Sequence, residues 1–300
     1  MLNWLRRWLM PAQAAQHSPL WQTLWPATLA HYPFLSALPP SDQERLQQLA
    51  AHFVTDKEFT GANGLVVTDA MALAVAAQAC LPLLHLLPAD TPVRELLGWY
   101  DDFVGIVLHP GGVLATRRLQ DEDGVIHQWR EALSGEAMPG GPVMLSWADV
   151  DQADRTMRQG YNVVIHEFAH KLDLRHGPAD GYPSLPSGFA PQLSPSAARM
   201  HWQTRITAEF EAFCEQVAAH TRFGQPPAPW LNDYAATSLA EFFAVASEAY
   251  FVNPQGLIGQ SAGLHRLLDA YYQAGKRIDM RAPPDDGPPG LTSQSGCPLP

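Results

Sequence analysis

Apolar residues recur at three- and four-residue spacing along several segments of the chain, and this is the period of an amphipathic helix. One such face begins after Ser41 and Asp42, either of which can serve as the N-cap. The residues of that face are Leu46, Leu49, Ala50 and Phe53. The same period predicts further helices at about residues 68–84, 196–219, 238–251 and 263–274. The hydrophobic pattern therefore predicts a mainly helical protein.

Another helix is predicted from about residue 154 to 175, where Val164, Phe168 and Leu172 recur at four-residue spacing. Gly177, which is followed by a proline, is a typical helix stop. The two histidines of this segment, His166 and His170, are flanked by apolar residues, so the helix is predicted to be buried. We refer to it as the motif helix.

Two short apolar runs, 104–108 and 142–147, are predicted to be β-strands, and an acidic hairpin or loop around 121–124 lies between them. The second run directly precedes the motif helix. It is either an edge strand that binds the backbone of a substrate or a buried core strand, and the sequence leaves both readings open. Together these elements predict an α/β (α+β) fold that is predominantly helical, with a small mixed sheet beside the motif helix.

The domain organisation follows from length and composition. The chain has 300 residues, of which 46% are hydrophobic, and this is enough for a large core. Residues 1–33 are predicted to be a loosely ordered segment, and residues 34–281 are predicted to form a single domain. Residues 282–300 are rich in proline, glycine, aspartate and serine, a composition typical of a disordered tail.

Charge and cysteine usage exclude several classes of protein. The net charge is −11, from 19 basic against 30 acidic residues, whereas nucleic-acid-binding proteins usually have a basic face. Cys80, Cys214 and Cys297 are far apart and form no CxxC pair, which argues against a disulfide framework or a thiolate zinc site. Arg6 and Arg7 interrupt the apolar amino terminus, and no run of residues reads as a membrane span. A cytoplasmic protein is therefore expected, without a nucleic-acid or membrane partner.

The motif helix carries the segment His166-Glu167-Phe168-Ala169-His170, which is an HExxH motif. Residues four apart share a helical face, so the two histidines can offer two imidazole nitrogens to one zinc ion. Glu167 is placed to take a proton from a water that the metal activates. Two buried imidazoles and a carboxylate need a partner, and this favours a metal site over a chance occurrence of the motif.

A catalytic zinc site normally has three protein ligands, and the sequence offers alternatives for the third. His176 has the spacing of the third histidine in metzincins, but Asp173 stands where those enzymes break the helix with glycine, so His176 is expected to face away. Glu241 and Glu248 share a face of a later helix about 10.5 Å apart, and only one of them can bind the ion. Glu241 can also complete a capping box with Ser238, a role that needs no metal.

The chain resembles the Mlc titration factor A family of bacterial zinc peptidases. The resemblance rests on three segments in order, residues 166–173 (HEFAHKLD), 234–236 (YAA) and 240–245 (AEFFAV). A more diffuse likeness extends over about residues 34–275. The resemblance implies a zincin-like catalytic core, similar to that of anthrax lethal factor.

For the site, the resemblance implies one zinc ion bound by His166, His170 and Glu241, as in gluzincin-type metallopeptidases. It implies Glu167 as the general base and Tyr234 as the hydroxyl that supports the oxyanion of the transition state. It also implies a cytoplasmic, aminopeptidase-like enzyme that acts on small peptides and binds the glucose-responsive repressor Mlc.

Asp173 returns to the helix face of His166, where it either orients a ligand histidine or is an ordinary surface carboxylate. The alternative function is a regulatory protein that sequesters a transcription factor and has a structural or weakly active zinc site. Glu167 distinguishes the two functions. A structural site has four ligands and needs no base, whereas three ligands plus Glu167 describe an open, catalytic position.

Overall fold

Helices form most of the part of the chain that the computed structural model describes, which is residues 19–120, 126–133, 135–224, 226 and 228–279. In chain order they are α1 (Pro19–His31), α2 (Pro33–Ser36), α3 (Pro40–Asp56), α4 (Asp69–Cys80), α5 (Val93–Leu97), α6 (Trp147–Asp151), α7 (Ala153–Thr156), α8 (Val163–Asp173), α9 (Pro195–Phe223), α10 (Leu239–Val252), α11 (Pro254–Gln260), α12 (Ala262–Tyr272) and α13 (Ala274–Asp279). Short 3₁₀ turns lie at Leu81–Leu83, Gly98–Tyr100, Met157–Gln159, Leu174–His176 and Asp233–Ala236. The strands are β1 (Glu58–Gly61), β2 (Gly105–His109), β3 (Val113–Gln120), β4 (Ile126–Leu133), β5 (Gly135–Ala137) and β6 (Val143–Ser146).

The main sheet is small and mixed. Strands β1, β2 and β6 are parallel, with Phe59 opposite Ile106 and Ile106 opposite Val143. Strand β5 adds antiparallel to β6, so the order across the sheet is β1-β2-β6-β5. Strands β3 and β4 form a separate antiparallel hairpin between β2 and β5 in the chain. The prediction of a mainly helical fold with a small sheet is confirmed.

Strand β6 corresponds to the predicted run 142–147. Of its two readings, the edge strand is wrong, because β6 pairs with β2 on one side and with β5 on the other. Its residues Val143 and Leu145 are fully buried, as expected of a core strand. The edge strand next to the motif helix is β5. The acidic turn predicted around 121–124 lies outside the described residues, and the strands on either side of it pair as a hairpin.

The motif helix is α8, and it lies in the core between α4, α10 and strands β5 and β6. Its fully buried Phe168 packs in an edge-to-face arrangement against Phe53 and Tyr100, with ring centroids 5.6 and 5.0 Å away. The helix is shorter than predicted and begins at Val163 rather than near residue 154. The reason is Gly160, whose positive φ of 76° ends the preceding 3₁₀ turn and cannot continue a right-handed helix.

The other predicted helices are present as α3, α4, α9, α10 and α12, with ends shifted by a few residues. Helix α3 begins at Pro40, so neither Ser41 nor Asp42 is its N-cap. Proline suits this first position because its φ is fixed near the helical value and its missing N–H would have no partner there.

Helices α1 and α2 lie in the segment that the sequence analysis assigns to a loosely ordered start. That assignment does not hold for residues 19–33, because Trp21 and Trp25 are buried in the core. Tyr32 also donates a hydrogen bond from its hydroxyl to the carbonyl of Val150 at 3.2 Å. Residues 1–18 and the predicted tail 282–300 lie outside the described part of the chain.

None of the described helices is both long and apolar enough to cross a lipid bilayer. In the described part of the chain, Cys80 and Cys214 are free thiols.

Candidate metal centre

The motif helix α8 runs antiparallel to α10, and this arrangement brings the ionisable residues of both helices together. Asn162 caps α8 by accepting a hydrogen bond from the Ile165 amide at 2.9 Å. Near this end of α8 lies Glu248, from the second half of α10, whereas His170 near the other end meets Glu241 from its first turn. The two HExxH histidines therefore face the two glutamates that the sequence analysis considered.

Three ligand atoms lie around one point. The Nε2 atoms of His166 and His170 are 3.2 Å apart, and Oε2 of Glu241 is 3.1 Å from the first and 3.3 Å from the second. Each imidazole nitrogen carries at most one hydrogen, so three mutual contacts of this kind are not all hydrogen bonds. Ligands held at 2.0–2.1 Å in a tetrahedral zinc site are about 3.3 Å from one another. The group therefore fits a tetrahedral metal ion.

The structure separates the alternatives for the third ligand. Glu241 joins the histidines, whereas His176 is exposed and its Nδ1 contacts the side chain of Ser184. The expectation that His176 faces away is confirmed. Ser238 accepts a hydrogen bond from the Glu241 amide at 3.2 Å, so Glu241 belongs to the capped first turn of α10 through its backbone and to the metal group through its carboxylate. Only the Ser238 half of the predicted capping box is present, because the Glu241 carboxylate lies with the histidines.

Glu248 contacts His166 at the ring nitrogen that does not belong to the metal group. Its Oε1 lies 2.7 Å from Nδ1 of His166, and its Oε2 accepts a hydrogen bond from the Asn162 amide. A proton on Nδ1 that is donated to Glu248 leaves the lone pair of Nε2 free for a metal. The Asn162 side chain continues this buried network by donating to Oε1 of Gln78 at 2.7 Å. Sequence spacing left Glu248 as either a ligand or a supporting or structural carboxylate, and it did not identify His166 as its partner.

We expect Glu248→Gln to weaken zinc binding by about 10- to 100-fold, because one of the two donors that face Glu248 would then meet an amide NH₂ group. A competition titration against a chelator measures this. Glu215→Gln, an exposed change on α9, is the matched control. Equal zinc affinity in the Glu248 variant and the control would show that Glu248 does not tune the histidine.

Burial and neighbouring charges have opposing effects on the pKa values of the residues at this site. Burial disfavours a charged His166, but the carboxylates of Glu248 and Glu241 outweigh burial and raise the pKa of this histidine well above its usual value. Burial also favours a neutral Glu241, but hydrogen bonds and charges from His166 and His170 lower its pKa. Protons and a metal ion therefore compete for the same nitrogen atoms.

Glu167 lies beside the metal group, with its carboxyl buried. Burial raises the pKa of Glu167 to about 7, against the opposing effect of the two histidines. Strand β5 crosses directly over it. A Cβ atom added to Gly135 would lie 2.5 Å from Oε1 and 2.7 Å from Cγ of Glu167, so a glycine is needed for this close approach.

Gly135→Ala is expected to move Glu167 or β5 and to lower peptide hydrolysis by about 100-fold, while zinc remains bound. Steady-state kinetics together with zinc content measure the two effects separately. Gly111→Ala is the control, since a Cβ atom there meets no neighbouring atom. Wild-type turnover in Gly135→Ala would contradict a positioning role for this glycine.

Tyr234 lies in the 3₁₀ turn before α10, with its ring centroid 6.3 Å from that of His166. Both side chains line a cleft of about 790 Å³, which also contains His170, Glu167 and Glu241. This volume lies within the range of small-molecule and peptide side-chain sites. The structure thus brings all five sequence-predicted site residues to one cleft.

Two polar residues in the C-terminal half of α8 have roles that the sequence did not reveal. Lys171 is fully buried and donates hydrogen bonds to the Asp102 carboxylate at 2.9 Å and to the carbonyls of Met138 and Gly141 at 2.7 and 3.1 Å. It thereby holds the turn between β5 and β6. In the sequence, the one indication of this role is that Lys171 stands within a largely apolar helix.

Asp173 is buried, so it is not a surface carboxylate, and burial raises its pKa to about 6. Its Oδ2 accepts a hydrogen bond from the Gly181 amide at 2.8 Å. The hydrogen bond of Asp173 therefore anchors the loop after α8, and the carboxylate that orients a histidine is Glu248 instead.

Two histidines and a glutamate around one point, beside a buried glutamate, could hold a metal ion in the manner of a metallopeptidase. The chain belongs to the peptidase M90 family: the family model described as "Glucose-regulated metallo-peptidase M90" matches residues 3–273.

Curated relatives share most of the length of the chain. A protein named Mlc titration factor A from Klebsiella pneumoniae (strain 342) is 31% identical over 254 residues, which cover 83% of this chain and 85% of the relative. Proteins of the same name from Edwardsiella ictaluri (strain 93-146) and Serratia proteamaculans (strain 568) are 32% and 33% identical over 274 and 260 residues. These alignments cover 91% and 86% of this chain, and 93% and 90% of the relatives.

Proposed function

We propose that this protein is a zinc-dependent peptidase that binds one zinc ion through His166, His170 and Glu241. The observation that carries the proposal is the set of three ligand atoms within 3.3 Å of one another, next to the buried carboxyl of Glu167. Two imidazoles and one carboxylate are the ligands of catalytic zinc in several peptidases, and such sites leave a fourth position open. The family to which the chain belongs supports the same class.

A zinc ion bound there supplies a Lewis acid that polarises the scissile carbonyl and lowers the pKa of a water molecule. Glu167 accepts the proton of the attacking water and later delivers it to the nitrogen of the leaving amine. Burial beside the metal group places a carboxyl there that can take up a proton and release it again. Tyr234, on the wall of the cleft, donates a hydrogen bond to the oxyanion.

Strand β5 is proposed to bind the substrate backbone. It is the edge of the sheet next to Glu167, and two of its residues, Gly135 and Ala137, line the cleft. An extended peptide can add to such an edge through main-chain hydrogen bonds. We propose an aminopeptidase-like reaction on small peptides, for which the family resemblance is the support.

The test of zinc-dependent hydrolysis is removal and return of the metal. Protein treated with a chelator should lose hydrolysis of unblocked aminoacyl and peptide substrates and regain it with one equivalent of zinc. N-acetylated versions of the same substrates distinguish an aminopeptidase, which cleaves only the free forms. Full hydrolysis by protein from which all metal has been removed would refute the proposal.

A second proposal is that the protein binds a repressor of the Mlc type. Its support is the name of the curated relatives, Mlc titration factor A. We propose, on the basis of such a partner, that the protein acts in the cytoplasm. Size-exclusion chromatography of the protein with purified Mlc is expected to show a shared peak, also for Glu167→Gln, because binding does not need the base. Separate elution at micromolar concentrations of both proteins would count against this partner.

A further inference from the structure

The geometry points to a specificity pocket for a large apolar side chain at one end of the cleft, where Tyr161, Val163, Trp230, Leu231 and Val245 form the walls. This inference rests on the proposed peptidase function and names the substrate class that the site would prefer: peptides with an aliphatic or aromatic residue next to the cleaved bond.

The positions of two wall residues on their helices show at which end of the cleft the pocket lies. Val163 lies one turn before His166 on α8, and Val245 lies one turn after Glu241 on α10. Because the helices are antiparallel, both valines lie on the same side of the metal group, towards Glu248. The opposite end of the cleft is lined by other residues, among them Leu174 after the end of α8. The two valines therefore lie on the cleft wall one turn from the metal group.

Trp230 closes this end as a rigid apolar wall. A Cβ atom added to Gly256 would lie 2.1 Å from its ring, and one added to Gly160 would lie 2.9 Å from it, so the indole is packed between two glycines. Its amide donates a hydrogen bond to Oε1 of Gln260 at 2.9 Å, which fixes the backbone as well. Trp230 remains partly exposed, and it lines the cleft. Because the indole is already held in place, it can contact an apolar substrate side chain without rearranging.

The charge pattern of this end disfavours a charged substrate side chain. The carboxylate that lines it is that of Glu248, and its two oxygens are already in contact with Nδ1 of His166 and the amide of Asn162. None of the five wall side chains carries a charge, so none can form an ion pair with an ammonium or carboxylate group that has lost its water. An apolar side chain gains free energy on leaving water, so the pocket should discriminate between the two kinds.

Amino-acid hydroxamates test the pocket without turnover, since the hydroxamate group binds zinc and the side chain is then free to fill the pocket. For zinc-loaded protein, isothermal titration with the glycine, leucine, phenylalanine, lysine and glutamate derivatives should show leucine and phenylalanine binding about 10- to 100-fold tighter than the others. Equal affinities across the series, tightest binding of a charged derivative, or no binding of any derivative would overturn the inference.

Two variants locate the pocket. Val245→Phe fills it and should reduce the leucine-to-glycine affinity ratio about 10-fold, whereas Leu174→Phe adds bulk at the opposite end and should preserve the ratio. Trp230→Ala, which removes a wall, should also reduce the ratio and serves if Val245→Phe fails to fold. An unchanged ratio in Trp230→Ala, or in folded Val245→Phe, would place the side chain elsewhere and contradict the inference.

Failure of this inference and failure of the proposed function give different results. Selective binding of leucine hydroxamate by a zinc-loaded protein that cleaves no peptide would refute the peptidase and support the pocket. Cleavage of a mixed peptide library with no apolar preference on either side of the cut would overturn the pocket alone.

Discussion

Glu167→Gln is expected to lower kcat/KM for peptide hydrolysis by about 10²- to 10⁴-fold while zinc stays bound, which is the usual contribution of a general base. The amide has the size and shape of the carboxyl, so it fits under Gly135, where little room is available. It cannot accept a proton from water. Zinc content by atomic absorption and hydrolysis of a chromogenic peptide measure the two properties on the same sample.

The pH dependence provides a second check of this base. Burial raises the pKa of Glu167 to about 7, and a bound cation lowers it again, so wild-type kcat/KM should rise with pH along a limb at or below pH 7. The residual activity of Glu167→Gln should lack that limb. A variant with intact zinc content, full turnover and the wild-type profile would rule out Glu167 as the base.

The parts of the site that lie within one helix were predictable, because helical spacing alone places His166 beside His170. The antiparallel packing of α8 against α10 could not be predicted from this spacing. Nothing in the local sequence shows that the helices are antiparallel, and this relation is what gives Glu241 to the metal group and Glu248 to His166. On helical spacing alone, two glutamates seven residues apart were an open choice. The family resemblance favoured Glu241, and the packing of the second helix places it beside the histidines.

The open questions in the fold also arise from long-range contacts. The sequence left open whether β6 is an edge or a core strand, since β5, which covers its second side, is only three residues long and carries a glycine in place of an apolar residue. That glycine is explained by Glu167, which is distant in the chain. Lys171 lies in a helix that was predicted to be buried, and only the turn between β5 and β6 explains how its charge is accommodated there.

The early start predicted for α8 has a local cause instead. Gly160 was present in the sequence, but the three-residue turn before it has helical spacing, so the hydrophobic period alone did not reveal the break. A glycine inside a predicted helix lowers the helix preference by about 1 kcal/mol, which is too little to decide the boundary without the fold.

Glu241→Ala is expected to weaken zinc binding by more than about 100-fold, beyond the loss expected for Glu248→Gln, because it removes a ligand rather than the partner of a ligand. Hydrolysis should fall in parallel when zinc is limiting. Two imidazoles remain, and they lose the carboxylate whose charge favours a cation between them. A competition titration against a chelator gives the zinc affinity, and thermal unfolding of the zinc-free proteins shows whether the fold is intact.

Glu215→Ala, on the exposed face of α9, is the control for loss of a glutamate and should bind zinc as the wild type does. The order of zinc affinities, with Glu215→Ala highest, Glu248→Gln intermediate and Glu241→Ala lowest, is the signature of a ligand supported by an orienting carboxylate. The reverse order of the last two variants would make Glu248 the ligand. That result would mean that binding of zinc rearranges the contacts of His166, since Glu248 now lies on its Nδ1 and Glu241 on its Nε2.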